Sequence, residues 1–70
     1  MSSKRLRQLI AKNIKEIRST LRLTQEEAAE KTGFHYKYYQ KIESGTVNLT
    51  IDSIEQISKA FKMKAKDLLS

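Results

Sequence analysis

The stretch Thr24–Gly45, TQEEAAEKTGFHYKYYQKIESG, decides the fold. It opens with Thr24 followed three residues later by Glu27. That is the capping-box pattern, in which the N-cap hydroxyl and the N3 carboxylate each accept from the other residue's amide. The helix begun there is short, because Gly33 follows Thr32 and glycine takes the left-handed conformation past a helix end at least cost. A turn around Gly33-Phe34-His35 leads to a second short helix, Tyr36 to Ser44, closed in the same way by Gly45. Two short helices joined by a tight glycine turn suggest a helix-turn-helix.

Upstream, Leu6, Ile10, Ile14, Ile17 and Leu21 recur at intervals of 4, 4, 3 and 4, the stripe of a one-sided amphipathic helix. Its other face carries Arg7, Lys12, Lys15 and Arg18. Downstream, the loop Gly45-Thr46-Val47-Asn48-Leu49 leads to Thr50, an N-cap with Asp52 in the first turn behind it. Ile51, Ile54, Ile57 and Phe61 then mark a buried stripe, and a final turn runs from Ala65 to Leu69. The expectation is an all-α fold of five helices with no strand. Residues 1–5 form a short basic segment, and 6–70 form one domain.

Composition narrows what such a domain can do. Seventy residues with 14 Lys+Arg against 8 Asp+Glu give a net charge of +6. A chain this short buries only about 60% of the surface it exposes when unfolded, too little to enclose a deep catalytic pocket. With no cysteine, disulfides and thiolate chemistry are excluded, and a reducing cytoplasm is no obstacle. The lone His35 builds no multi-histidine metal site. No apolar run nears the roughly 20 residues of a membrane span, and Met-Ser-Ser-Lys-Arg begins no secretory signal. No nucleophile–base pair, phosphate-cradling loop or metal cluster supports an enzyme, and no cofactor is expected. A small basic binding module remains, with nucleic acid as its first partner.

The second short helix sharpens that reading. At 100° per residue Tyr36, Lys37, Gln40, Lys41 and Ser44 share one face, while Tyr39 and Ile42 point the other way. Cations, an amide and a phenol on one face can reach phosphates, donate to guanine or bond adenine, and a helix fits the major groove. The alternative is a solvated surface.

Leu23-Thr24-Gln25-Glu26-Glu27-Ala28-Ala29, then Gly33-Phe34, then Ile42-Glu43-Ser44-Gly45 resembles the Cro/C1-type (Xre-like, lambda repressor-like) helix-turn-helix family. The likeness spans about residues 10 to 69. Tyr38-Tyr39, Ile42-Glu43 and Asn48-Leu49-Thr50-Ile51, with Ile54 and Ile57, look most like controller proteins of restriction–modification systems. The resemblance implies a transcriptional regulator of double-stranded DNA. Tyr36, Lys37 and Lys41 match base-reading positions. Gln25 matches a phosphate-holding glutamine at a helix N-terminus, where amide groups favour anions. Gln40 and Ser44 fall at the backbone or groove edge. So does Tyr38, for which core packing is equally open, and Asn48 matches a position that meets phosphate or simply turns. Arg18 and Glu43 match a structural salt bridge, and His35 fits the recognition-helix N-cap.

The departures from the family pattern are also informative. Arg22 stands where relatives have glycine or a small polar residue; in a left-handed conformation it costs about 1 kcal/mol. Ala28 replaces a common leucine and Tyr39 a common isoleucine, so the tyrosine is expected to fill the vacated volume. Val47 replaces a basic residue and Leu49 a proline.

A short recognition helix covers few base pairs, and the family implies a homodimer placing two such helices about 34 Å apart. Ile51, Phe61, Met63, Leu68 and Leu69 are the candidate interface, unless they only close the core. Glu26, Glu27 and Glu30 form an acidic patch; acids suit a helix start, but Glu26 and Glu30 also offer an RNA polymerase contact. Competing readings are an antitoxin or phage-type repressor that mainly binds a partner protein, and a basic amphipathic helix on an anionic membrane. The second lacks an aromatic anchor, and no membrane partner is expected.

Overall fold

The computed structural model describes residues 3–70. Four α-helices follow in order: α1 (Ser3–Thr20), α2 (Gln25–Thr32), α3 (Tyr36–Ser44) and α4 (Ile51–Ala60). The fifth expected helix is instead a single 3-10 turn, Ala65–Leu68. Its amides reach back three residues, Asp67 N to Lys64 O at 2.9 Å and Leu69 N to Lys66 O at 3.1 Å. Such i→i+3 bonding is the tighter 3-10 geometry, which occurs in short pieces. Because α1 begins at Ser3, Lys4 and Arg5 are its first turn; Met1 and Ser2 lie outside the described residues.

The caps follow the local chemistry of the sequence. Thr24 Oγ1 accepts from Glu27 N at 3.1 Å while Thr24 N donates to Glu27 Oε1 at 2.8 Å, completing the capping box. Gly33 closes α2 at φ +83°, its amide donating to the carbonyls of Ala29 and Glu30. Gly45 closes α3 at φ +75°, and a Cβ there would stand 3.4 Å from Gln8 Cγ, so α1 passes close beside this turn. Thr50 Oγ1 accepts from Ser53 N at the start of α4. The end of α1 departs from the glycine pattern, for Arg22 takes the left-handed conformation itself, at φ +59°.

Packing is built on α3. It lies against α2 and α1; α1 also meets the terminal turn, and α4 closes against that turn and α2. Ile10, Ile14, Ala28, Ala29, Tyr39, Ile42, Ile57, Phe61 and Leu68 form the buried cluster. Each large member stabilises the fold by about 1.5–3 kcal/mol. Tyr39 and Ala28 are both fully buried in that cluster. Polar links also join the elements: Gln56 Nε2 donates to Thr32 O at 2.6 Å, and Asn13 Nδ2 to Leu68 O at 2.8 Å.

The apolar stripes are narrower than their periodicity suggests. Leu6, near the start of α1, and Leu21, in the turn just past its end, are both exposed. Ile51 does not share the buried side of α4. As the first residue of that helix it projects beyond the neighbouring elements, 84% exposed.

Candidate nucleic-acid interface

The face that matters is displayed by α3. His35 caps it: Nδ1 accepts from Lys37 N at 3.3 Å, so the imidazole serves the backbone. Tyr36, Lys37, Gln40, Lys41 and Ser44 are all exposed, whereas Tyr39, Ile42 and Glu43 are buried. Lys37, Gln40, Lys41 and Ser44 together line an open depression. One side of the helix is thus a set of donors and cations, and the other is fixed in the core.

What fixes it is a buried carboxylate. Arg18 donates from Nε to Glu43 Oε2 at 2.6 Å and from Nη2 to Oε1 at 3.1 Å. Gln25 Nε2 donates to Oε1 at 3.0 Å, and the Tyr39 hydroxyl to Oε2 at 2.6 Å. Arg18 also donates to Leu23 O at 2.9 Å, holding the connection between α1 and α2. A buried charge is tolerable only when paired and hydrogen-bonded, and Glu43 is both. Burial pushes its carboxyl up, but the bonds from Arg18, Tyr39 and Gln25, with the charge of Arg18, outweigh that and hold it below the usual carboxylate range. The Tyr39 phenol is pushed up by burial and by its bond to Glu43. The hydrogen bond to Glu43 raises the Arg18 guanidinium, although burial opposes it.

The remaining sequence-derived site residues are placed less uniformly. Gln25 is half-buried, at the first position of α2, with its amide nitrogen committed to Glu43. Tyr38 is half-buried, its ring edge-on to Phe34 with centroids 5.3 Å apart, and it packs against the core. Ser44 is exposed but locally bonded, donating to Lys41 O at 2.7 Å and sharing a 2.8 Å bond with Thr46 Oγ1. Asn48 is exposed on the loop after α3, and its Oδ1 accepts from Arg7 Nη1. That link ties the loop to α1 across 41 residues, a separation for which no local pattern gives a signal. The part of Tyr39 in the Glu43 cluster was also missed, although their four-residue spacing on one helix permits it.

The residues expected at a dimer interface are divided by the fold. Phe61 and Leu68 belong to the core, buried against α1 and α4, so they are not available to a partner. Ile51 and Leu69 are exposed and Met63 is half-buried. Glu26 and Glu30 are exposed on α2, while Glu27 is occupied in its capping box. Among the described residues no three His, Cys, Asp or Glu side chains converge as a metal site, and no helix is long and apolar enough to cross a membrane.

Comparison with known proteins agrees with this geometry. The helix-turn-helix family model matches residues 14–68. The control protein C.BamHI of Bacillus amyloliquefaciens is 40% identical over 65 residues, which cover 91% of this chain and 80% of that protein. The crystal structure of a hypothetical transcription factor, NHTF, from Neisseria superposes with a TM-score of 0.90 at 27% identity. That match covers 100% of this chain and 80% of the other. An HTH_3 family transcriptional regulator from Vibrio cholerae shares the fold, with a TM-score of 0.90 at 21% identity; the match spans 96% of this chain and 38% of that one. The chain belongs to the Cro/C1-type helix-turn-helix family of transcription regulators.

Proposed function

We propose that this protein is a sequence-specific double-stranded DNA-binding regulator that acts as a homodimer on a pseudo-palindromic operator, as the controller of a restriction–modification system. One observation carries the reading. The face of α3 bearing Tyr36, Lys37, Gln40 and Lys41 is exposed, while Glu43 on its opposite side is locked to α1 and α2. Tyr36, Lys37 and Lys41 contact base edges, with lysine donating to guanine O6 and N7. Gln25, at the N-terminus of α2, meets a phosphate through the second N–H of its amide, the first being held by Glu43, and through the neighbouring backbone N–H groups. Tyr38, Gln40, Ser44 and Asn48 lie along the backbone side of the groove. The 40% identity to a protein named as a control protein favours the controller role.

Selection of bound duplexes from a random pool tests the reading. The expected product is one enriched motif with two inverted half-sites centred about 10 base pairs apart. A pool that stays unenriched while the protein binds every duplex equally would reject it.

Transcriptional activation involves a second surface. Glu26 and Glu30 stand four residues apart on the exposed side of α2 and are the acids there not used in capping. They are the proposed polymerase contact. Glu30→Gln is expected to leave operator affinity intact and abolish activated transcription; unchanged activation would remove this surface from the mechanism.

A further inference from the structure

The loop between α3 and α4 has no regular structure, yet it is tied down along its length. At its start Ser44 Oγ donates to Lys41 O at 2.7 Å and shares a 2.8 Å bond with Thr46 Oγ1, so the end of α3 and the loop close on one carbonyl. Gly45 lies against α1, where a Cβ would stand 3.4 Å from Gln8 Cγ and 3.7 Å from Ala11 Cβ. Farther on, Val47 and Leu49 are half-buried and pack against the core. Asn48, between these two anchored neighbours, is exposed. There α1 reaches it: Arg7, half-buried and next in sequence to Gln8, donates from Nη1 to Asn48 Oδ1.

The chemistry of that bond decides which way the amide faces. An asparagine amide has nearly the same shape in its two orientations, with an oxygen that accepts on one branch and an NH2 that donates on the other. A guanidinium carries donors only. Arg7 therefore selects the orientation with oxygen toward α1, and leaves the two Nδ2 donors for an acceptor outside the chain. A phosphate of the DNA backbone is such an acceptor and offers no donor in return. Holding the side chain in advance also removes rotamer freedom that binding would otherwise have to remove.

We propose that Arg7 is a positioning residue of the DNA interface: it fixes the Asn48 amide so that Nδ2 donates to a phosphate at the edge of the groove that α3 enters. This rests on the DNA-binding reading above and brings α1 into that interface through a residue that does not itself touch the duplex. The competing role for the same bond is a tie that only holds the loop to α1. The two differ in what happens to DNA affinity when the fold is intact.

Affinity for the selected operator duplex, measured at several salt concentrations beside thermal unfolding of the free protein, tests this. Arg7→Met keeps a long stem without donors and is expected to raise the dissociation constant about fivefold. Arg7→Lys should recover most of that loss, because the bond uses one nitrogen and lysine is also donor-only. Asn48→Ala should cost about tenfold, and adding Arg7→Met to it should change affinity by no more than about twofold, since the effect passes through the missing amide. Asn48→Asp separates the roles most sharply. Its carboxylate keeps the link to Arg7, so the free protein should be at least as stable as wild type. It has no donor and repels phosphate, so affinity should fall at least as far as in Asn48→Ala. Arg7→Met that lowers Tm but binds the operator as wild type does, or Asn48→Asp that binds at full affinity, overturns the proposal and leaves α3 as the reading element. Losses that multiply in the double variant, or a salt slope lower by about 1 in Arg7→Met, would mean that the guanidinium meets phosphate itself and overturn its positioning role. Wild type that binds no duplex overturns the DNA-binding reading and this proposal together.

Discussion

Tyr39 donates its hydroxyl to Glu43 Oε2 at 2.6 Å, one helical turn along α3. The bond lies on the buried side of the helix, so the phenol stabilises the carboxylate that receives Arg18 from α1 and Gln25 from α2. Orientation of the outward face of α3 therefore depends on a carboxylate on its buried side and on donors from α1 and α2.

Removing that hydroxyl should be costly for its size. Tyr39→Phe keeps the ring in the core but takes one donor from a buried carboxylate, and a hydrogen bond to a charged group contributes about 1.5–3 kcal/mol. With Arg18 and Gln25 still in place, a loss of about 1–2 kcal/mol is expected, seen as a fall of roughly 5–15 °C in Tm. A variant as stable as wild type in urea and thermal unfolding would show that the bond is dispensable.

The same carboxylate makes stability depend on pH. Folding holds Glu43 below the ordinary 4.5, so its contribution is complete above that value and disappears as pH falls through the lower folded value. The stability gap between wild type and Glu43→Gln, measured by urea unfolding, is expected to be widest near neutrality and to close in acid. A gap that stays constant down to pH 3 would place the effect of the substitution elsewhere.

Arg22 offers a stabilising change. It is exposed and left-handed at φ +59°, where a side chain is disfavoured by about 1–2 kcal/mol. Glycine relieves that strain but frees the unfolded chain, so a net gain of about 0.5–1 kcal/mol is expected for Arg22→Gly. A lower midpoint in urea would mean that the arginine makes a stabilising contact that outweighs the backbone cost.

At the DNA surface, Lys37→Ala and Lys41→Ala separate two kinds of contact. A base contact should cost about 1–3 kcal/mol and relax preference at one operator position. A phosphate contact should weaken all sequences alike and reduce the salt slope by about 1. Full affinity and specificity in both variants would remove these lysines from the interface.

Much of this architecture is legible in local chemistry. Capping at Thr24 and Thr50, left-handed closure at Gly33 and Gly45, and the outward face of α3 each follow from residues within a few positions of one another. The division of the chain into interior and surface depends on lengths and layers, which periodicity does not encode. Thus Phe61 and Leu68 close the core although they are as apolar as an interface, and Ile51 stands out from its own helix although it continues the stripe. The link from Arg7 to Asn48 and the donation of Gln25 to Glu43 bring together residues far apart in sequence, and only the folded chain reveals them.

The most direct test of α3 as the reading element is nuclear magnetic resonance of the labelled protein titrated with its selected operator duplex. The largest amide and side-chain shifts are expected at Tyr36, Lys37, Gln40 and Lys41, with Gln25 and Asn48 following, while Glu43 and Tyr39 stay near their free positions. Shifts concentrated on α1 or on the terminal turn, with α3 unmoved at saturation, would contradict it.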